Sequence, residues 1–148
     1  MIIEGQSIAY ANIVSKEYYI HYTYMKDSID DFMLEIEKAN LTAKGPLFYT
    51  LKNVPSDENM YIELFMPIYE DKVPPLETMK FRSYYYVDDM LVKRLIGEYE
   101  TLTEYAYAEM LQYMEDNELD MISPIYHIFG GDEELQYVEI KIAVDTQK

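Results

Sequence analysis

Cysteine is absent from this chain of 148 residues, which excludes disulfides, a thiolate nucleophile and any cysteine-based zinc site. Tryptophan is absent too, and basic residues are scarce: 12 Lys and Arg stand against 28 Asp and Glu, for a net charge of −16. Phosphate contacts need clustered Lys and Arg, so no direct nucleic-acid binding is expected. An excess of acid favours cationic ligands, a basic protein partner or mimicry of DNA. The opening Met1-Ile2-Ile3-Glu4-Gly5 lacks the basic flank and apolar core of a signal peptide. No apolar run approaches the ~20 residues a membrane helix needs, and the cytoplasm is the expected location. His21 and His127 are the only histidines and have no metal-ligand spacing, so each reads as a satisfied sheet residue. There is no Gly-x-Ser-x-Gly elbow and no phosphate loop, and Gly130-Gly131 reads as a turn. No cofactor or metal is expected.

What the chain does have is a 49% apolar fraction and 17 tyrosines, enough for one compact domain spanning 1–148. Tyrosine favours strands and carries a hydroxyl that needs a partner, which suits an amphipathic sheet surface. Tyr137–Val144 alternates strictly, with Val138, Ile140, Ile142 and Val144 on one side and Tyr137, Glu139, Lys141 and Ala143 on the other. That is the pattern of a half-buried antiparallel strand. The phrase has an earlier copy in Tyr61–Ile68, and each copy follows a Pro-plus-aromatic strand, Gly45–Tyr49 and Ser123–His127. The chain therefore reads as one unit used twice, over about 6–70 and 78–146.

Taken in order, Ser7–Val14 and Glu17–Tyr24 read as strands joined at Ser15-Lys16. A helix capped by Asp27 or Ser28 follows, with Ile29, Phe32, Met33 and Ile36 on its buried face. Strands through Leu51 and over Met60–Ile68 flank the polar loop Asn53–Asn59, and Tyr69–Glu77 joins the halves. Met79–Val87 and Met90–Ile96 read as strands around a turn at Asp88-Asp89. A second helix, capped by Thr101 or Thr103, would bury Leu102, Ala106, Met110 and Met114. The sum is an α+β domain of two strand-strand-helix-strand-strand halves related by a pseudo-twofold, its helices on one face of an antiparallel sheet. Glu63 and Glu139 then fall on the face left uncovered, which must be wet, grooved or partnered, and a homodimer through it is one option.

The second helix is charged in one sign. From Gly97 to Asp120 come Glu98, Glu100, Glu104, Glu109, Glu115, Asp116, Glu118 and Asp120 with no Lys or Arg. Like charges one turn apart cost a few tenths of a kcal/mol each. The run, with Glu104, Glu109, Glu115, Asp116 and Glu118 in the lead, is thus a candidate docking face for a basic partner, the plainer account being a solvated surface.

Gly97–Leu102, Ala106-Tyr107, Leu111 and Glu115–Leu119, followed by Ser123–Tyr126 and Val138–Val144, resemble the gyrase-inhibitor-like domains, which are also the effector-binding domains of multidrug-responsive regulators. The family's closing phrase has Pro before the last Val; Ala143 stands there, while the first repeat keeps Pro67. The resemblance implies a duplicated strand-helix-strand-strand fold (SHS2-like) with a ligand groove between repeats. It also implies a Glu at the groove, ringed by aromatics, that accepts lipophilic cations. Glu139 matches that Glu, with Glu63 as its counterpart. Tyr137 and Tyr61 share their strand faces, and Tyr126, Tyr99, Tyr84 and Tyr49 are candidate walls. Physically, a partly desolvated carboxylate wants a cation, and tyrosine faces attract one. The plainer account of Glu139 is a strand acid paired with Lys141 or a cross-strand base. Regulators of this family carry a helix-turn-helix module ahead of the domain, so a stand-alone ligand-binding domain is the first expectation. An acidic interaction protein, directed at gyrase or a basic toxin or secretion component, is the second. A hydrolase using Glu63 and Glu139 is the third and least favoured.

Overall fold

The computed structural model describes residues 1–52, 58–96, 99–131 and 136–146, the side chains of 99–101 excepted. In chain order these form β1 (Ile2–His21), α1 (Met25–Lys38), β2 (Phe48–Leu51), β3 (Asn59–Pro67), β4 (Lys80–Ile96), α2 (Tyr99–Asp116), β5 (Leu119–Met121), β6 (Ile125–Gly131) and β7 (Gln136–Thr146). The pairings β1–β3, β2–β3, β4–β7, β5–β7 and β6–β7 are all antiparallel, so the α+β expectation holds. Two compact units divide the chain: Ala9–Tyr85, and Met1–Ile8 with Tyr86–Lys148. No helix among the described residues is long and apolar enough to cross a membrane.

Two expected strand pairs are each a single long strand. Ser15 and Lys16 are not a turn: they pair with Phe65 and Leu64 inside β1. Ser15 is buried and accepts a hydrogen bond from Arg82, while Lys16 reaches Asp31 and Glu35 on α1. Asp88-Asp89 likewise lies within β4. Asp89 does take the left-handed conformation, φ 54°, as Asn12 does in β1 at φ 59°, and Asn and Asp tolerate it. The local turn chemistry was thus legible, but the strand continues past it. Each half is consequently strand-helix-strand-strand, with the three-residue β5 added in the second. Tyr22–Tyr24, expected as strand, forms one 3₁₀ turn that the His21 ring caps at Thr23. The loop residues 53–57, Gly97, Glu98 and Asp132 lie outside the described residues.

In the Ala9–Tyr85 unit, β3 runs between β1 and β2. Its Ile62, Leu64 and Met66 pack with Val14, Leu41, Ile68 and the α1 residues Phe32 and Ile36, with Ile29 and Met33 at the margin. The predicted helical face is therefore the buried one. The helix starts earlier than expected, with Tyr24 at the cap position, and Ser28 bonds back to the Tyr24 carbonyl at 2.9 Å. Lys16 ties the helix edge to the sheet. Burial alone would lower its pKa, but the carboxylates of Glu35 and Asp31 prevail and raise it.

In the other unit, β7 lies between β4 and β6. Ala106, Met110 and Met114 of α2 pack on Leu91, Leu95, Ile140 and Ile142. Leu102, expected there, is 39% exposed. The helix already begins at Tyr99, so Thr103 lies within it rather than capping it. His127 faces α2 from β6, its ring parallel to that of Tyr107 at 5.6 Å and its Nε2 beside the Tyr107 hydroxyl. Burial raises the Tyr107 pKa and pushes His127 down to about 4.

That burial couples stability to pH. The unfolded chain's imidazole titrates near 6.5, so on acidification the unfolded state binds the proton first. Stability from this residue is complete above about pH 6.5 and declines towards pH 4, by roughly 3 kcal/mol in all. Urea midpoints measured between pH 7 and 4.5 should fall accordingly. His127→Phe, which keeps a flat ring but cannot titrate, should remove that share of the slope.

Candidate functional site

Because Ile62, Leu64 and Met66 turn towards α1, strand alternation puts Tyr61, Glu63 and Phe65 of β3 on the helix-free face. Register sets Glu17 and Thr50 opposite Glu63, Tyr19 opposite Tyr61, and Ser15 and Phe48 opposite Phe65. Phe48 and Phe65 stack at 4.8 Å, with Tyr10 and Tyr85 against them. Glu63 is 5% exposed. Two carboxylates directly opposite each other repel, and Lys52 bridges them, paired with Glu17 and 3.3 Å from Glu63. The same ammonium lies 5.5 Å from the Tyr61 ring centroid, and the Tyr61 hydroxyl donates to Glu17 at 2.8 Å. Arg82 approaches Glu63 to 3.5 Å and donates to Ser15 at 2.9 Å. Hydrogen bonds from Lys52 and Tyr61 hold the Glu17 pKa down. Burial opposes the charge on Lys52, but Glu17 and Glu63 outweigh it and raise its pKa.

The second unit repeats the plan with other residues. With Ile140 and Ile142 under α2, Tyr137, Glu139 and Lys141 of β7 face away from it. Three cross-strand rows result: Ile96–Tyr137–Gly130, Arg94–Glu139–Ile128 and Val92–Lys141–Tyr126. Arg94 lies 3.1 Å from Glu139, and its guanidinium is 4.1 Å from the Tyr137 ring centroid. The Tyr137 ring rests on Gly130: a Cβ there would meet ring carbon at 2.5 Å, so this glycine is what lets the ring lie flat on β6. Lys141 donates to the Ser7 carbonyl at 3.1 Å. Burial lowers its pKa, against the pull of Glu139.

Of the residues singled out from the sequence, Tyr61 and Glu63 meet in one unit and Tyr137 and Glu139 in the other, each pair on a helix-free face. Tyr126 is buried in the Lys141 row, and Tyr84 is exposed on β4. Tyr49 departs from expectation: it pairs with Leu64 and packs into the α1 core, so it does not share a face with Glu63. The side chain of Tyr99 lies outside the described part of the chain. Glu139 is paired with the cross-strand base Arg94. Sequence reasoning missed Arg94, Lys52, Arg82 and Glu17; strand register sets Arg94 opposite Glu139 and Glu17 opposite Glu63. Glu104, Glu109, Glu115, Asp116 and Glu118 are exposed; Lys93 of β4 sits 3.0 Å from Glu109. Among the described residues no cluster of three or more His, Asp or Glu side chains could hold a metal ion.

Two strand-helix-strand-strand units of antiparallel sheet make this an α+β protein of gyrase-inhibitor-like fold. Over residues 9–146 the chain matches the family described as Domain of unknown function (DUF5085), and it belongs to that family. No curated protein matches it. Among solved structures it is similar to the EcmrR C-terminal domain, at 16% identity across 97% of this chain and 99% of that one, with a TM-score of 0.72. It also resembles EcmrR in an EcmrR–DNA complex, at 18% identity and TM-score 0.75; it is covered over 97% there but spans 58% of that chain. SAV2435 bound to tetraphenylphosphonium is similar at 13% identity, 97% and 94% coverage and TM-score 0.53. A hydrolase from Listeria innocua is similar at 10% identity, 98% and 90% coverage and TM-score 0.55. At these identities the likeness is one of fold.

The facing carboxylates give a direct test of the Lys52 bridge. Lys52→Met should destabilise the protein by about 1–3 kcal/mol at pH 7, the scale of a buried charge losing one partner. The loss should shrink as pH falls through about 4.5, the ordinary Glu value, because protonation relieves the repulsion. Urea titrations at pH 7 and 4 would show it, and adding Glu17→Gln should restore most of the stability.

Proposed function

We propose that this chain is a small-molecule-binding domain whose ligand is an amphipathic cation, received on the helix-free face at Tyr137 and Glu139, with Tyr61 and Glu63 as the corresponding pair of the other unit. One observation carries the reading: each Tyr-x-Glu pair already holds a cation of its own chain, and holds it in two ways. Tyr137 and Glu139 hold the guanidinium of Arg94 at 4.1 and 3.1 Å. Tyr61 and Glu63 hold the ammonium of Lys52 at 5.5 and 3.3 Å. The carboxylate and the electron-rich face of the ring both attract positive charge, and the ring offers apolar contact besides, which a cation carrying rings of its own uses in full. The tetraphenylphosphonium bound to SAV2435, a protein of similar fold, supports the same class of ligand.

Tetraphenylphosphonium and tetraphenylborate share shape and differ in the sign of charge, which makes them a matched pair of probes. A ligand that binds only the native state, at a hundred times its dissociation constant, stabilises by about 2.7 kcal/mol, or roughly 5–10 °C in melting temperature for a chain of this size. The phosphonium should produce such a shift and the borate should not, and Glu139→Gln should diminish it. Equal shifts from both ions would reduce the site to an apolar surface, and no shift from either would refute the reading.

A further inference from the structure

Arg94 stands where the proposed cation would stand, so any role it has in binding rests on that reading of the site. Register places it there: Arg94 lies opposite Glu139, and Tyr137 lies two residues along the same face of β7. Its guanidinium satisfies both halves of the site at once, the carboxylate at 3.1 Å and the ring at 4.1 Å. Its hold is nevertheless weak, because its side chain is 52% exposed and exposed ion pairs contribute little. The equivalent cation of the other unit is pinned. Lys52 lies between Glu17 and Glu63, and Arg82 grips Glu63 as well. Half of the Arg94 side chain already lies in solvent, so leaving the site costs it little.

We infer that Arg94 is a tethered competitor for the Tyr137–Glu139 site and thereby determines its selectivity. A cation without aromatic surface can make the same two contacts as Arg94 but gains nothing beyond them, as the ammonium of Lys52 shows at Tyr61 and Glu63, so the tethered guanidinium, at high effective concentration, keeps its place. A ligand that combines charge with rings replaces both contacts, adds ring-on-ring packing against Tyr137, and so releases the guanidinium to solvent. The site thus discriminates aromatic cations from simple amines and alkylammonium ions without any dedicated excluding wall.

The test measures tetraphenylphosphonium and tetraethylammonium binding by titration calorimetry, with melting temperatures alongside. The proteins are the unaltered chain, Arg94→Gln, Arg94→Lys, Glu139→Gln and Arg94→Gln combined with Glu139→Gln. Arg94→Gln should bind the phosphonium roughly tenfold more tightly, the scale of one exposed ion pair and one cation–π contact removed from competition. It should also begin to bind tetraethylammonium. Arg94→Lys, which keeps the charge but loses the flat cation, should fall between, and it carries the comparison if Arg94→Gln proves unstable. The double variant should lose the gain. Phosphonium binding no tighter in either Arg94 variant than in the unaltered chain overturns the inference. If Glu139→Gln alone still weakens binding, that result leaves the proposed function standing. A gain that survives in the double variant overturns the inference too, since the ligand then sits elsewhere. Absence of binding in every protein overturns both.

Discussion

A strand sends alternate side chains to opposite faces, and in each unit one α-helix covers one of those faces. Every later feature depends on that restriction. The aliphatic half of β3 and β7 goes beneath the helix, where Ile62, Leu64, Ile140 and Ile142 become fully buried. The other half, Tyr61 and Glu63 or Tyr137 and Glu139, is left to settle its own electrostatics. A net charge of −16 makes that hard, because most of the chain repels an additional carboxylate. Four of the twelve bases, Lys52, Arg82, Arg94 and Lys141, are accordingly drawn to these two faces.

The two faces resolve the same problem to different depths. Around Glu63 the acid is nearly inaccessible, and two bases, an opposing Glu17 and a buried Ser15 complete a closed network. Partly desolvated groups of this kind stiffen a sheet provided every member is satisfied. Around Glu139 the acid keeps one base, half in solvent, and an aromatic ring beneath that base. The first arrangement suits a structural anchor, and the second suits exchange of one cation for another. The Tyr-x-Glu phrase occurs twice, and the cross-strand neighbours decide what each copy does.

Much of this was legible in the sequence, and the limits have physical causes. Period-two alternation gave β3 and β7 with their faces, and the i, i+3, i+4, i+7 spacing gave the buried side of α1, because each depends only on local geometry. Ser15-Lys16 and Asp88-Asp89 misled because polar pairs mark turns on average, yet a long strand can use them. Ser15 accepts from Arg82, Lys16 reaches α1, and Asp89 bends the backbone without ending the strand. Arg94 and Lys52 were invisible for a different reason. Arg94 meets Glu139 through the register of β4 on β7, 45 residues apart in sequence, and Lys52 meets Glu17 across 35 residues, which no local period encodes. Tyr49 was misplaced by the same gap, one residue of register deciding which face it joins.

The departure from the family's closing phrase has a structural reason as well. Pro67 and Ala143 hold corresponding places in the two repeats, and their backbones are used differently. The Pro67 carbonyl accepts from Lys44 and Gly45, and no donor is asked of it. Ala143 must supply one: its N–H donates to Ser123 at 2.9 Å, while its carbonyl accepts from Ile122 at 2.9 Å. Proline has no N–H to give, so proline at 143 would sever the first of these bonds just where the chain leaves β5 for β6. The short strand β5, which pairs with Val144–Thr146, is therefore tied to the alanine. Alanine at 143 thus supplies, at the end of the added strand, a donor that the proline of the first repeat could not.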